Sequence, residues 1–280
     1  MNNLYFARRQ YLVSVFQDTM DRIRKDNALQ DAVRDSIASQ RFVAEDETIS
    51  LPEPRYAEPA KVQVTKNRSF EAAAKYKNHK TAVLNFASAN RPGGGVENGA
   101  SAQEESLCRV STLFPCLKDG KIWHLFYAPH RAARNPLHND DIIYTKDVAV
   151  FKDDDYNPLA EPFRADVLTC AAPNLCEVPT NIYNPDDGEV RPGISDLELM
   201  KLHEKRGRKI LSVAAANGAE VLILGAFGCG AFHNDPQIVA QAYRNILPEF
   251  LRHFRVIEFA VYCRPTDMTN YESFAHLLAE

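Results

Sequence analysis

The sequence predicts an α/β fold in which a mostly parallel β-sheet is covered by helices. Two observations carry this prediction: strand-like and helix-like segments alternate from about residue 61 onward, and the apolar run 221–224 leads straight into a glycine-rich loop. Alternation of this kind places helices over a parallel sheet. The chain has 280 residues, of which 45% are hydrophobic and 25% charged, a balance typical of globular proteins and unlike disordered, collagen-like or low-complexity chains.

The N-terminal segment is predicted to form a helical extension. Between residue 4 and about residue 40, apolar side chains recur at helical spacing: Tyr5, Leu12, Val15, Phe16 and Met20. Three prolines then fall within nine residues, at 52, 54 and 59, which indicates a loop. We therefore predict a helical extension over residues 1–60, packed on the core, and a main domain over 61–280.

The main domain alternates predicted strands and helices. The predicted strands are 62–64, 82–86, 142–151, 166–172, 221–224 and 256–262. The predicted helices are 69–78, one from the capping box Ser101-x-x-Glu104 to about Thr112, one from the capping box Ser195-x-x-Glu198 to about Asn217, one starting at Asp235-Pro236, and 270–279. Both glycine-rich loops follow strands, so we expect them at the carboxyl edge of the sheet, where ligands bind in such folds.

Charge and cysteine usage narrow the function classes. The formal net charge is −4, whereas a protein that grips nucleic acid through its phosphates usually carries a basic excess. No run of about 18 apolar residues indicates a membrane span, and the N-terminus lacks the pattern of a signal peptide. The six cysteines form no CxxC pair and show no zinc-ligand spacing. We expect reduced thiols in an intracellular, cytoplasmic protein, with no cofactor and no metal.

The first candidate site is the segment Asn85–Gly95, NFASANRPGGG. Consecutive glycines let backbone N–H groups approach a ligand without interference from Cβ atoms, and such a loop before a helix suits a diphosphate. A flexible surface turn is the alternative.

The second candidate site is the segment Gly225–Pro236, GAFGCGAFHNDP, which leads from a strand to a helix start. It lacks the Gly-Lys-Ser/Thr of a Walker A loop, and His233 stands where a dinucleotide fingerprint would need glycine. A bent turn without a ligand is the alternative.

The third candidate is Gln103-Glu104-Glu105, in the first turn of a predicted helix. Glu104 could simply complete the cap, and Glu105 could pair with Arg109 one turn later. Two carboxylates beside two anion-binding loops are, however, electrostatically awkward, which favours a functional use. The acidic run at residues 153–155 is most simply a solvated loop.

These segments together resemble the macrodomain poly(ADP-ribose) glycohydrolases of the microbial type. NFASANRPGGG, VENGASA and QEESLCR resemble the family signature of three glycines, about seven residues and Gln-Glu-Glu, and GAFGCGAFHNDP resembles its second phosphate loop. IIYTKDVAVFKDDD and VLTCAAPN resemble two further family segments, in the same order. The resemblance implies a three-layer α/β/α macrodomain with a mixed, mostly parallel central sheet.

The resemblance also implies roles for individual residues. Glu105 matches the catalytic position and Glu104 the residue that holds the distal ribose. Substrate-binding positions are implied at Asn90, Gly94, Gly95, Gln103, Gly228, Cys229, Gly230, Ala231 and Phe232. Three residues depart from the family pattern: Val96 replaces an aromatic residue, Ala149 a proline and His233 a glycine.

The implied reaction is release of ADP-ribose from poly(ADP-ribose) or ADP-ribosylated protein by cleavage of the O-glycosidic bond at C1″. Glu105 would protonate the leaving oxygen and then activate water, while Glu104 fixes the sugar. The helix N-terminus opposes an acid role, whereas bound diphosphate would raise the carboxyl pKa. Two alternatives stay open at this point: an ADP-ribose-binding module without turnover, and a hydrolase of mono-ADP-ribosyl conjugates only. The expected partners are ADP-ribose, poly(ADP-ribose) or ADP-ribosylated proteins. We expect binding to neither a membrane nor nucleic acid.

Overall fold

A seven-stranded mixed sheet forms the centre of the protein in the computed structural model, which describes residues 2–182 and 184–278. The strands are β1 Arg41–Val43, β2 Lys61–Thr65, β3 Thr81–Ala87, β4 Ile142–Lys152, β5 Pro158–Ala171, β6 Val221–Leu224 and β7 Val256–Ala260. Their order is β1-β4-β5-β3-β6-β7-β2. The pairings β5-β3, β3-β6, β6-β7 and β7-β2 are parallel, and β4 is antiparallel to both β1 and β5.

The helices lie between these strands in the chain. Their bounds are α1 Asn2–Lys25, α2 Asn27–Ser39, α3 Ser69–Ala74, α4 Gln103–Val110, α5 Leu113–Leu117, α6 Gly120–Ile122, α7 Ala128–Ala133, α8 Asp196–Ala216, α9 Pro236–Ile246 and α10 Thr269–Leu278. A π-helical turn, Trp123–Tyr127, joins α6 to α7, and short 3₁₀ turns occupy Val96–Asn98 and Leu247–Glu249.

Helices cover both faces of the sheet and create two hydrophobic cores. Because side chains alternate along a strand, Leu84 and Leu222 point into one core and Val83 and Ile223 into the other. Helices α8, α9 and α10 close the first core, and α1, α3, α4 and α5 close the second. The predicted three-layer α/β/α architecture with a mixed, mostly parallel sheet is confirmed.

Most predicted elements are present, with differences at their ends. Ser195 caps α8 in a capping box with Glu198, and Asp235 caps α9, as predicted. Strand β5 begins eight residues before the predicted 166–172 strand, and the last predicted helix, 270–279, ends at Leu278, with residue 279 outside the described residues. No helix in the described part of the chain is long and apolar enough to cross a membrane.

The N-terminal segment forms two helices and one strand. Asp26 ends the helical run predicted for residues 4–40, because its carboxylate accepts the N–H groups of Ala28 and Leu29 and so starts α2. Strand β1 is an edge strand of the same sheet, which the sequence did not predict. The boundary between an extension over 1–60 and a domain over 61–280 stays a prediction.

Helix α1 packs directly against α4. The Phe16 ring meets Phe114 edge-on at 4.8 Å between centroids, within the second core. Arg109 of α4 donates from Nε to Leu12 O at 3.2 Å, and the Thr19 hydroxyl donates to Arg109 O. The N-terminal segment therefore braces the helix that carries the two glutamates.

A buried carboxylate, Glu258 of β7, ties the sheet edge together. Its Oε2 accepts from Gln63 Nε2 at 2.6 Å and Tyr76 Oη at 2.8 Å, and its Oε1 from Thr65 Oγ1 at 2.6 Å and Asn67 Nδ2 at 3.0 Å. Burial alone would raise the pKa of Glu258, but these four hydrogen bonds outweigh it and lower the pKa.

We expect Glu258→Gln to lower the free energy of unfolding by about 1–3 kcal/mol at neutral pH, because an amide NH₂ would then face two donors. A lowered carboxyl pKa stabilises the fold above the unfolded value and loses that effect as pH falls through the folded value. The deficit should therefore shrink below about pH 4.5, measured by urea unfolding. The exposed control Glu272→Gln should stay within about 0.5 kcal/mol at every pH. A deficit independent of pH would contradict the assignment.

Candidate active site

A cleft of about 630 Å³ opens at the carboxyl edge of the sheet, where β3, β5, β6 and β7 end. The residues predicted as catalytic or substrate-binding that line it are Gly94, Gln103, Glu104, Glu105, Gly228, Gly230, Ala231 and Phe232. Strands β3 and β6 are neighbours, so the two glycine-rich loops emerge side by side, as the sequence predicted.

Glu104 is buried against the end of β3, with 2% of its surface exposed. Its Oε2 accepts the N–H of Ser88 at 2.9 Å, and its Oε1 accepts from Asn85 Nδ2 at 3.2 Å. The predicted capping box at Ser101 is therefore wrong: α4 begins at Gln103 after Ala102, which has no side-chain cap. The carboxylate that was expected to cap the helix instead accepts from the backbone of Ser88, just after β3, and from the Asn85 side chain.

Glu105 is also buried, with 5% of its surface exposed. Its Oε1 accepts the N–H of Gly95 at 2.8 Å, while its Oε2 has no hydrogen-bond partner in the described part of the chain. The alternative of a surface pair with Arg109 is not what the structure shows, because Arg109 is fully buried and donates to Leu12 O and Ala100 O. Glu105, which lines the cleft, thus has one buried carboxylate oxygen without a hydrogen-bond partner among the described residues.

Burial raises the pKa of both carboxyls. For Glu104 the loss of solvent is the main cause and the neighbouring charge of Glu105 adds to it, which raises the pKa to about 8 against the hydrogen bonds from Ser88 and Asn85. For Glu105 burial again outweighs the N–H of Gly95 and the nearby Arg109 charge. The raised pKa, which the sequence argument attributed to bound diphosphate, has burial as its main cause.

Gln103 serves the strand as an extra pairing partner. Strand β3 pairs with β6 only through Thr81–Val83, which leaves the later backbone groups of β3 without that partner. The Gln103 amide takes its place: Oε1 accepts from Phe86 N at 2.9 Å, and Nε2 donates to Leu84 O at 2.8 Å and to Ser69 Oγ at 3.0 Å. Its side chain lines the cleft but is engaged in fastening α4 to β3 and α3.

The first glycine-rich loop shapes the space over the glutamates. A Cβ atom on Gly94, which has φ +55°, would lie 2.5 Å from Glu105 Oε1 and 3.2 Å from Glu104 Oε2. The N–H of Gly95 is engaged by Glu105 and that of Gly94 by Arg91 O. Neither N–H is free for the diphosphate that the sequence placed here.

The second loop offers free backbone donors. The N–H groups of Gly228, Gly230, Ala231 and Phe232 donate no hydrogen bond within the described residues. Gly230 has open space where a Cβ would be, so a ligand can approach its backbone. N–H groups without an internal acceptor in a turn after a strand are donors of the kind that bind phosphate.

Asn234 holds the second loop in shape, and sequence reasoning missed it. Its Nδ2 donates to Pro173 O at 2.7 Å and Gly228 O at 3.1 Å, and its Oδ1 accepts from His203 Nε2 at 2.8 Å. Burial lowers the pKa of His203 to about 4, so the ring is neutral and can donate through one nitrogen. The adjacent His233 is exposed at φ +57°, a conformation that favours the glycine usual in the family.

Three predicted substrate-binding residues do not line the cleft. Asn90 is buried and donates from Nδ2 to Asp187 Oδ1 at 2.6 Å. Gly95 lies behind Gly94, and the Cys229 side chain faces Phe227 O at 3.7 Å, with its pKa raised by burial. The N–H of Gly95 donates to Glu105, and the N–H of Cys229 donates to Ala226 O.

The cleft also contains residues that sequence reasoning did not assign to it. They come from α1, from the segments after β2, β4 and β7, and from the 181–184 region: Arg8, Arg68, Asp154, Tyr156, Asn181, Asn184, Tyr262, Arg264 and Asn270. The acidic run at 153–155 is thus only in part a solvated loop, because Asp154 is half-buried and burial raises its pKa to about 6. No group of three His, Cys, Asp or Glu side chains that could hold a metal occurs among residues 2–182 and 184–278.

Comparison with known proteins identifies relatives of this chain. The family profile for the catalytic domain of microbial-type PARG matches residues 16–153. No curated protein matches the chain. Poly(ADP-ribose) glycohydrolase (PARG) from Thermomonospora curvata is 29% identical, with a TM-score of 0.81 over 95% of this chain and 99% of that one. Its complex with the inhibitor ADP-HPD is 28% identical, with a TM-score of 0.79 and the same coverage.

A second bacterial relative is similar over most of its length. Poly(ADP-ribose) glycohydrolase from Deinococcus radiodurans, in complex with ADP-ribose, is 30% identical, with a TM-score of 0.73 over 87% of this chain and 96% of that one. Identity at this level over nearly the whole of the relative, together with the profile match, establishes descent as well as fold. The chain belongs to the microbial-type poly(ADP-ribose) glycohydrolase family.

Proposed function

We propose that this protein is a glycohydrolase that releases ADP-ribose from poly(ADP-ribose) by cleaving the O-glycosidic bond at C1″. The observation that carries the proposal is Oε2 of Glu105. It is a buried carboxylate oxygen without a hydrogen-bond partner among the described residues, and Glu105 lines a cleft that also presents free N–H donors. A binding module without turnover has no need of this oxygen. The relatives in complex with ADP-ribose and with ADP-HPD support the same ligand class.

The second loop and the glutamate pair bind different parts of the reacting ADP-ribose unit. The free N–H groups of Gly228, Gly230, Ala231 and Phe232 hold the diphosphate, and the glutamates lie at the end of the neighbouring strand, where the distal ribose reaches. Neighbouring strands are about 4.8 Å apart, a distance that the ribose and its linking atoms span. Phe232, 8% exposed, lines the same cleft.

Glu105 moves the proton. Its raised pKa keeps the carboxyl protonated closer to neutral pH than usual, so Oε2 can give its proton to the leaving ribose oxygen as the C1″–O bond breaks. Water then attacks C1″ of the oxocarbenium-like centre and returns a proton to Oε2. Glu104 accepts hydrogen bonds from the ribose hydroxyls and so fixes the sugar.

The first test is turnover. Labelled poly(ADP-ribose) and a mono-ADP-ribosylated protein are incubated with wild type and with Glu105→Gln, and free ADP-ribose is measured. We expect release from the polymer and a fall of about 10²–10⁴-fold in the variant, because the amide has no titratable proton. Glu97→Gln, an exposed glutamate of the same region that pairs with Arg91, should keep the wild-type rate.

The two substrates in this experiment distinguish a poly(ADP-ribose) glycohydrolase from a hydrolase of mono-ADP-ribosyl conjugates and from a binding module. Release from the monomeric conjugate alone would assign the protein to mono-ADP-ribosyl conjugates. A wild-type protein that binds ADP-ribose but releases none from either substrate would be a reader, and the proposed function would fail.

The second test is ligand recognition. ADP-ribose should bind more tightly than adenosine, because adenosine has no diphosphate for the N–H groups of the second loop. At about 100 times its dissociation constant, ADP-ribose should raise the free energy of unfolding by about 2.7 kcal/mol. Calorimetry and thermal unfolding measure both effects, and equal binding of the two ligands would contradict the diphosphate site.

A third test uses the raised pKa of Glu104. Between the ordinary value of 4.5 and the folded value of about 8, the folded protein retains a proton that the unfolded chain has released, so this group makes stability fall as pH rises. From about pH 5 to about pH 8, Glu104→Gln should gain on wild type by at most about 1.4 kcal/mol per pH unit in urea unfolding. Parallel stability curves would show that the carboxyl titrates normally.

A further inference from the structure

Another buried carboxylate, outside the cleft, accepts hydrogen bonds from side chains of three separate segments of the chain. Asp187 is 1% exposed, and its Oδ1 accepts from Asn90 Nδ2 and from His138 Nε2, each at 2.6 Å. Its Oδ2 accepts from Asn174 Nδ2 at 2.6 Å. The other nitrogen of His138 faces Ala172 O at 2.7 Å, so the ring joins Asp187 to the backbone just after β5.

A short series of contacts joins Asp187 to the proposed site. Asn90, held by Asp187, donates its own N–H to Ser88 Oγ at 3.3 Å. Ser88 in turn donates its N–H to Glu104 Oε2 at 2.9 Å and its hydroxyl to Asn184 Oδ1 at 2.8 Å. The turn that carries Asp187 and Asn184 therefore holds the first glycine-rich loop at two points, Asn90 and Ser88.

This loop needs such a hold because it has no regular partner of its own. It follows the end of β3, and Gly93 and Gly94 adopt φ values of +69° and +55°. Hydrogen bonds to a buried charge are stronger than neutral ones, and loss of the charge leaves buried donors unsatisfied. A displacement of about 1 Å in a reacting group can reduce turnover about 100-fold.

We propose that Asp187 is a positioning residue for the glutamate pair: through Asn90 and Ser88 it fixes the first glycine-rich loop against Glu104. It touches neither substrate nor the reacting atoms. The inference rests on the proposed glycohydrolase function and adds to it a residue that determines the rate of turnover from outside the cleft.

The test compares Asp187→Asn with Asp186→Asn. The neighbouring Asp186 pairs with Arg131 at the surface, where both side chains are more than a third exposed, so its variant is a matched control on the same turn. For Asp187→Asn we expect kcat on poly(ADP-ribose) to fall by about 10- to 100-fold. The dissociation constant of ADP-ribose should change by less than about threefold, because Asp187 makes no hydrogen bond to the donors of the second loop, Gly228, Gly230, Ala231 and Phe232. Asp186→Asn should match wild type in both.

Two measurements keep the outcome clear. The binding stoichiometry of ADP-ribose gives the folded fraction, so a variant that merely unfolds shows fewer sites with unchanged kcat per site. Should Asp187→Asn not fold, Asn90→Ala tests the same contact from the other side and should lower kcat per site similarly. When both variants fold, their effects should be less than additive. Wild-type kcat per site in either variant would overturn the inference, whereas an inactive wild type would instead overturn the proposed function.

Discussion

The burial of two adjacent carboxylates at the start of α4 is the constraint on which the site depends. Removing a carboxylate from water is costly unless hydrogen bonds replace the solvent. Here Ser88 N–H, Asn85 and Gly95 N–H replace it only in part, and the remaining cost appears as the raised pKa of both groups. A carboxyl that resists ionisation near neutral pH is what proton transfer to a leaving oxygen requires.

Much of the surrounding structure holds α4 in place. The Gln103 amide continues the sheet where β6 stops, which fixes the first turn of the helix against β3. At the other end, Arg109 and Thr19 join α4 to α1, so the N-terminal segment supports the site without supplying a carboxylate to it. Because α4 packs against both β3 and the N-terminal segment, Glu104 and Glu105 are buried.

The two glycine-rich loops divide the chemistry between them. The first directs its N–H groups inward, to Glu105 and to its own turn, and so holds one oxygen of the Glu105 carboxylate. The second leaves its N–H groups open and so suits an anion, with its shape kept by Asn234. The sequence predicted a phosphate-type loop at both places, because glycine content reports how closely a backbone can be approached and not which groups its N–H donors meet.

The sequence by itself determined the fold class, the order of the elements and the segments that meet at the cleft, because strand runs, helix caps and glycine clusters act over a few residues. Apolar runs placed β3 and β6, a capping box placed α8, and the motifs singled out Glu104, Glu105 and the second loop. Only the tertiary structure decided which partner each polar group takes. Glu104 accepts from the backbone just after β3 and not from its own helix, β1 joins the sheet edge, and Asp187 accepts from Asn90, His138 and Asn174 of distant segments. Partner choice is set by burial, which long-range packing creates and local sequence does not encode.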